Sequence, residues 1–257
     1  MAQDSGIEWT KHTGNPWHGC TRVHSGCDNC YACAISKRTG YELWGPRNPR
    51  REIAGFFDSL KSFQKKAKTA NRTDAVFVGS MMDIFEIPMP LIDKDEKLLS
   101  TTTGDLRQKF FDNITAGVYP NLMFLLLTKR PSNINKYIPQ SWKQTPPDNV
   151  MFGTSPVDQV TANKLIGQLI QVNGRRFLSV EPQLGWMTLM PWLQNKSIDW
   201  VINGGESGPK NKIRPFNTDW ARKLMAECKA TNTPFFFKQV DKIKAIPADL
   251  RVREFYK

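Results

Sequence analysis

Histidine is scarce in this chain of 257 residues: there are three, at positions 12, 18 and 24. Cysteine is nearly as sparse, with five, and four of those fall between positions 20 and 33. A secreted disulfide framework in a chain this long would spread its cysteines, so the clustering fits a reducing compartment and a metal or redox site. Cys228 stands alone and reads as a buried small apolar residue. No uninterrupted apolar run is long enough to cross a bilayer. The first ten residues also lack the charged-then-apolar order of a signal peptide. The expectation is a cytoplasmic protein with no membrane partner. Long basic tails and RGG-type segments are missing too, so positive charge is carried by the fold itself.

That charge is large. Lys and Arg number 36 against 24 Asp and Glu, a formal net charge of +12. The balance favours an acidic partner, of which nucleic acid is the commonest. Local concentrations occur at Arg47 to Arg51, at Lys61 to Lys68 with Arg72, and at Lys210, Lys212 and Arg214. A surface that tracks a phosphate backbone would look like this, and so would ordinary solvated helix faces.

A chain of this length, 40% hydrophobic, can bury one sizeable core, so a single domain over residues 1–257 is expected. Short apolar runs rich in β-branched and aromatic residues recur at 75–79, 123–127, 150–153, 176–180, 200–203 and 234–237. They read as fully buried parallel strands. A further strand is expected near residues 15–19, ahead of the first cysteine. Mixed segments at 91–116, 157–172 and 218–230 can carry helices, with Asn217 as a capping residue for the last. The alternation predicts an α/β fold, a partial TIM-like barrel of about six to seven parallel strands.

The residues at the C-terminal end of each run bear on function. Ser80 to Asp83 come after the second strand, Thr128, Lys129 and Arg130 after the third, and Thr154 and Ser155 after the fourth. Glu181 to Gln183 come after the fifth, Gly204 to Gly208 after the sixth, and Lys238 and Gln239 after the seventh. In a parallel barrel these ends share one face, so the residues are expected to converge there.

The cysteines form a C-x6-C-x2-C-x2-C pattern within a loop at 19–33. Gly19 and Gly26 give that loop freedom to wrap. Four readings compete. A zinc knuckle would draw on the cysteines and neighbouring histidines. A closed ferredoxin-type cluster would use all four thiols, and an open [4Fe–4S] cluster three of them. The thiols can also be unligated. Placement after a first strand, facing a pocket built by later strands, favours the open form on Cys20, Cys27 and Cys30. Cys33 then begins the following helix and is spare.

Several segments together resemble a phage-associated radical S-adenosylmethionine family. They are residues 7–10, Asn15 with Pro16, Gly19 with Cys20, residues 26–32, 83–85, 127–131, 153–155, 179–182, 204–208 and 235–239. The group includes thymidine-hypermodification isomerases, which move the bond on a thymine-linked glycine from its nitrogen to its α-carbon. The resemblance implies a radical S-adenosylmethionine barrel with a [4Fe–4S] cluster and S-adenosylmethionine as cofactors. It further implies a 5′-deoxyadenosyl radical that abstracts a glycyl hydrogen, modified phage DNA as substrate, and an electron donor such as flavodoxin or ferredoxin. If the chain is phage-encoded, its location is the cytoplasm of the bacterial host. The chain departs from the usual C-x3-C-x2-C spacing, and Asn29 stands where an aromatic is usual.

On that resemblance Tyr31 is expected against adenine, Ser80 and Asp83 at the cofactor amino group, and Thr154, Ser155, Gly204 and Gly205 along the cofactor. Lys129, Arg130 and Lys238 are expected to meet the glycyl carboxylate or a phosphate. Glu181 and Glu206 are expected at ribose hydroxyls or the substrate ammonium. Trp9, Trp17, Tyr41 and Trp44 flank the loop and either stack on an extruded base or cap a core. Two other classes of function fit the same residues. One is a radical enzyme acting on a small molecule or tRNA. The other is a zinc-stabilised nucleic-acid-binding protein without catalysis.

Overall fold

In the computed structural model, which describes residues 4–207 and 212–256, the apolar runs become strands and most of the mixed segments helices. In chain order the elements begin with β1 (His12–Gly14), β2 (Trp17–His18), α1 (Tyr31–Arg38), β3 (Arg50–Glu52), α2 (Phe56–Thr69), β4 (Asp74–Val78), β5 (Pro90–Ile92), β6 (Leu98–Thr102) and α3 (Thr103–Thr115). They continue with β7 (Leu122–Thr128), α4 (Ile134–Tyr137), β8 (Val150–Thr154), α5 (Gln159–Leu169), β9 (Arg175–Val180), α6 (Met190–Gln194), β10 (Trp200–Gly204), α7 (Thr218–Ala230) and β11 (Phe235–Gln239). Among the described residues seven strands form one sheet in the order β1-β4-β7-β8-β9-β10-β11, their order along the chain. Every pairing in it is parallel. Parallel neighbours need crossover connections, and crossovers of one hand wind the sheet in one direction. The result is a curled half-barrel, as the alternation predicts.

Both faces of this sheet are apolar, which is why its strands read as continuous runs rather than alternating ones. Phe77, Met123, Leu125, Met151, Phe177, Trp200, Ile202 and Phe236 fill the inner face. Trp9 joins them, its ring 4.6 Å from Phe77 and 6.2 Å from Trp200. Val76, Val78, Phe124, Leu126, Phe152, Leu178, Val201 and Phe237 point the other way, into the layer of helices. Each such side chain contributes about 1.5–3 kcal/mol when fully buried. Trp9 and Trp17 are 2% and 0% exposed, so both belong to the core and neither can stack on a base.

Helix α2 lays Phe56, Leu60, Phe63 and Ala67 on one stripe, the spacing of an amphipathic helix. Its other face carries Lys61, Lys65, Lys66 and Lys68 into solvent, so this basic concentration is a solvated helix face. Reciprocal capping boxes start α3 at Thr102 and Asp105 and α5 at Asp158 and Thr161. Asn217 caps α7 as expected, and Cys228 is buried on that helix.

Two sequence expectations are displaced. The first strand is His12–Gly14 rather than residues 15–19, because Pro16 has no N–H to give a ladder. Trp17 and His18 pair instead with β3, in a separate small sheet ordered β2-β3-β5-β6. The stretch at 91–116 is helical only from Thr103 onward. Before it, Asp93 accepts from the N–H groups of Asp95 and Lys97 and turns the chain back, with Glu96 at φ 62°, so β5 and β6 pair antiparallel.

Candidate functional site

The loop carrying the cysteines follows β2 and crosses the C-terminal ends of the seven-stranded sheet, fastened at several strands. Nearest β1, Asn15 is buried, donates to Ser80 Oγ at 2.8 Å and accepts from the Met81 N–H at 2.9 Å. The Tyr31 hydroxyl donates to the Ser80 carbonyl at 2.7 Å. Beyond β7, Arg130 donates to the Thr21 carbonyl at 2.6 Å and lies 3.7 Å from Cys20 Sγ. Past β10, Glu206 accepts from Asn29 at 2.9 Å, and Arg214 donates to the Ser25 carbonyl at 2.9 Å. A Cβ at Gly26 would come within 2.7 Å of Val157, after β8, so only glycine lets the loop approach there.

Behind the loop lies a buried charge network. Asp83 Oδ1 accepts from Thr128 Oγ1 at 2.7 Å and the Phe85 N–H at 3.0 Å. Its Oδ2 accepts from Arg130 at 2.9 Å and the Lys129 N–H at 3.1 Å. Both oxygens are therefore occupied, and Asp83 orients Arg130 rather than reaching outward. Arg130 is also 3.6 Å from Glu86, which pairs with Arg50 at 2.7 Å. Burial works against the Arg130 charge, but Asp83, the Cys20 thiol and Glu86 outweigh it and raise its pKa. Burial pushes the Cys20 thiol up to about 12, with Asp83 adding to the shift and Arg130 opposing it. Arg50 is fully buried, so the basic run at 47–51 is in part structural.

The remaining rim residues divide by what their polar atoms already do. Thr154 is buried and spends its hydroxyl on the Thr128 carbonyl at 2.8 Å. Ser155 Oγ is buried with no hydrogen-bond partner among the described residues. Lys129 forms no ion pair through its ammonium among the described residues. Burial drives His24 down to about 4, and the Lys129 charge adds to that, so His24 stays neutral. Glu181 accepts from Lys238 at 2.5 Å and from Ser179 at 3.3 Å. Burial would raise the Glu206 pKa, but hydrogen bonds from Arg214 and Asn29 bring it below its ordinary value. Gly204 and Gly205 serve packing: a Cβ at Gly205 would lie 1.9 Å from the Val240 carbonyl, and one at Gly204 3.2 Å from the Gln239 carbonyl. Lys210 and Gly208 lie outside the described residues.

Among the described residues no three His, Cys, Asp or Glu side chains converge on a point that one metal ion could occupy. The fit of a cluster is therefore one of donor chemistry and placement. Cys20, Cys27, Cys30 and Cys33 are all free thiols and half-buried on the rim loop, and Cys33 sits inside α1. Soft thiolates suit iron–sulfur clusters, and binding sites of this kind commonly assemble around what they bind. Two of the three histidines do not add to the set, whereas His24, within the loop, keeps a buried Nε2 with no hydrogen-bond partner among the described residues. His12 is stacked on Phe63 at 3.9 Å and paired with Asp74 at 3.4 Å, and His18 lies 3.4 Å from Arg51.

A parallel half-barrel with a thiol-rich loop fastened over its C-terminal rim defines the class of this protein. Residues 4–248 match the family described as protein of unknown function (DUF5131), and the chain belongs to that family. No curated protein and no solved structure matches it. Asn29, Arg50, Glu86 and the oriented pair Asp83–Arg130 were not legible as partners in the sequence. Asn29 and Glu206 are 177 residues apart, and neither stands in a spacing that announces the contact.

Proposed function

We propose that this chain is a radical S-adenosylmethionine enzyme, holding a [4Fe–4S] cluster on Cys20, Cys27 and Cys30. Its proposed reaction rearranges N-linked glycyl-thymidine in phage DNA to the Cα-linked form. The observation that carries the reading is the fastening of the thiol loop across the C-terminal ends of a parallel half-barrel, where folds of this type gather their chemistry. When bound there, the cluster and S-adenosylmethionine supply one-electron cleavage of the sulfonium, with flavodoxin or ferredoxin as the electron source.

The chain's own residues would position the reactants. Ser80 Oγ accepts one bond, from Asn15, and keeps its proton and a lone pair for the cofactor's methionyl end. Ser155 Oγ is the unspent buried hydroxyl of the rim, suited to a ribose hydroxyl. Tyr31, 42% exposed with its hydroxyl anchored, offers an aromatic ring to adenine. Arg130 stays charged beside Cys20 and balances the negative charge of thiolates. Lys129 is free to meet a phosphate. Trp186, 53% exposed beyond β9, supplies the ring for an extruded base in place of Trp9 and Trp17.

Anaerobic reconstitution with iron and sulfide tests the first part: a brown protein with about four irons per chain is expected. Incubation with S-adenosylmethionine, a reductant and glycyl-thymidine DNA, followed by digestion to nucleosides, tests the second. A colourless protein carrying one zinc would overturn the cluster. The appearance of 5′-deoxyadenosine without a rearranged nucleoside would overturn the substrate and leave the radical chemistry standing.

A further inference from the structure

One charged pair joins the rim ends of β9 and β11, Glu181 with Lys238. The inner face of β9, β10 and β11 is set by Phe177, Trp200, Ile202 and Phe236. Alternation then places Ser179 and Lys238 on that same face, one level nearer the C-terminal end, while between them β10 shifts register after Asn203 and turns Gly204 toward Gln239. Lys238 Nζ donates to Glu181 Oε2 at 2.5 Å, and Ser179 Oγ lies 3.3 Å from Glu181 Oε1. The two side chains are 19% and 11% exposed, low enough for strong attraction yet open to the rim.

We infer that Glu181 and Lys238 are the receptor for the zwitterionic α-amino-acid group of the substrate. Lys238 takes its carboxylate and Glu181 its ammonium, and the two residues satisfy each other until the substrate enters. The amino acid is a thymine-linked glycine only if the proposed function holds, and to that extent the inference rests on it. Charge balance is the physical reason. A zwitterion entering between two opposite charges replaces one ion pair by two and leaves the net charge of a poorly solvated site unchanged. A ligand with the amine alone, or the carboxylate alone, would separate the pair and leave one partner bare. The ammonium and carboxylate of an α-amino acid are both attached to the α-carbon, close enough to insert into a direct Lys–Glu contact. The site thus selects for both charges together.

The test is calorimetric titration of the purified full chain with the glycyl-thymidine nucleoside. Its amine analogue lacking the carboxylate and its methyl ester serve as comparators. The zwitterion is expected to bind about 10- to 100-fold more tightly than either comparator, the range for charge-assisted hydrogen bonds. Lys238→Met is expected to reduce zwitterion affinity to that of the amine analogue. The double variant Glu181→Gln with Lys238→Met, which leaves no bare charge, is expected to melt near the wild type and to lose the discrimination. Equal affinity for all three ligands, no measurable binding, or loss of discrimination in Lys129→Met but not in Lys238→Met would each overturn the inference. Iron content and cleavage of S-adenosylmethionine, measured on the same preparations, decide the proposed function separately.

Discussion

Removing the Glu86 carboxylate should destabilise this protein more than any exposed charge could. Arg50 is 0% and Glu86 2% exposed. Glu86 accepts from Arg50 Nε at 2.9 Å and from Nη2 at 2.7 Å. Two charge-assisted hydrogen bonds at about 1.5–3 kcal/mol each sum to roughly 3–6 kcal/mol. Breaking a buried pair by deleting one partner independently gives about 3–5 kcal/mol, because the other charge stays buried. We therefore expect Glu86→Ala to cost about 4 kcal/mol. At about 2–4 °C per kcal/mol for a chain of this size, the melting point should fall by roughly 8–16 °C.

Arg50→Met should cost at least as much. Arg50 also donates to the carbonyls of Leu43, Gly45 and Asn48 and to Thr21 Oγ1, and these acceptors would be stranded. Urea unfolding followed by tryptophan fluorescence, with thermal melts alongside, measures both. Thr21 adjoins Cys20, so both variants should also take up less iron on reconstitution. A loss below about 1 kcal/mol for Glu86→Ala, or a milder effect for Arg50→Met than for Glu86→Ala, would refute the reasoning.

Three more outcomes are expected from the geometry. Gly205→Ala should destabilise by about 3 kcal/mol or more, since its Cβ would lie 1.9 Å from the Val240 carbonyl, whereas Gly204→Ala at 3.2 Å should be the milder change in the same melt. Glu206 has a folded-state pKa below its ordinary 4.5. Its contribution is therefore complete above that value and is lost as pH falls through the folded-state pKa, so urea midpoints of the wild type should drop more on acidification below pH 4.5 than those of Glu206→Gln. Serine at Cys20, Cys27 or Cys30 should abolish iron retention, while Cys33→Ser keeps it, because Cys33 sits inside α1; iron analysis of the four variants reads this directly.

Much of the architecture is legible in the residues alone. The strands from β4 to β11 of the half-barrel show as apolar runs because a parallel sheet covered on both faces has no polar alternation to disguise it. The start of α7 is legible for a local reason, the acceptor on Asn217 that serves the Asp219 N–H. The β5–β6 hairpin is not, because its turn depends on how one carboxylate, Asp93, is spent rather than on hydrophobic period. The tryptophans near the loop are ambiguous in sequence, since an indole suits a core and a base equally; the packing of Trp9 against Phe77 decides it.

For the site, the sequence by itself determines that four thiols share one loop and that polar residues come after each strand. Both are matters of order along the chain. Only the tertiary structure decides which of those polar groups remain available. It occupies Asp83 and Thr154 within the rim, leaves Ser155 Oγ without a partner among the described residues, pairs Glu181 with Lys238, and buries Arg50 against Glu86. The reason is that a hydrogen-bonding group's role depends on what its neighbours have already taken. Those neighbours come from strands far apart in sequence and adjacent only once the sheet has curled.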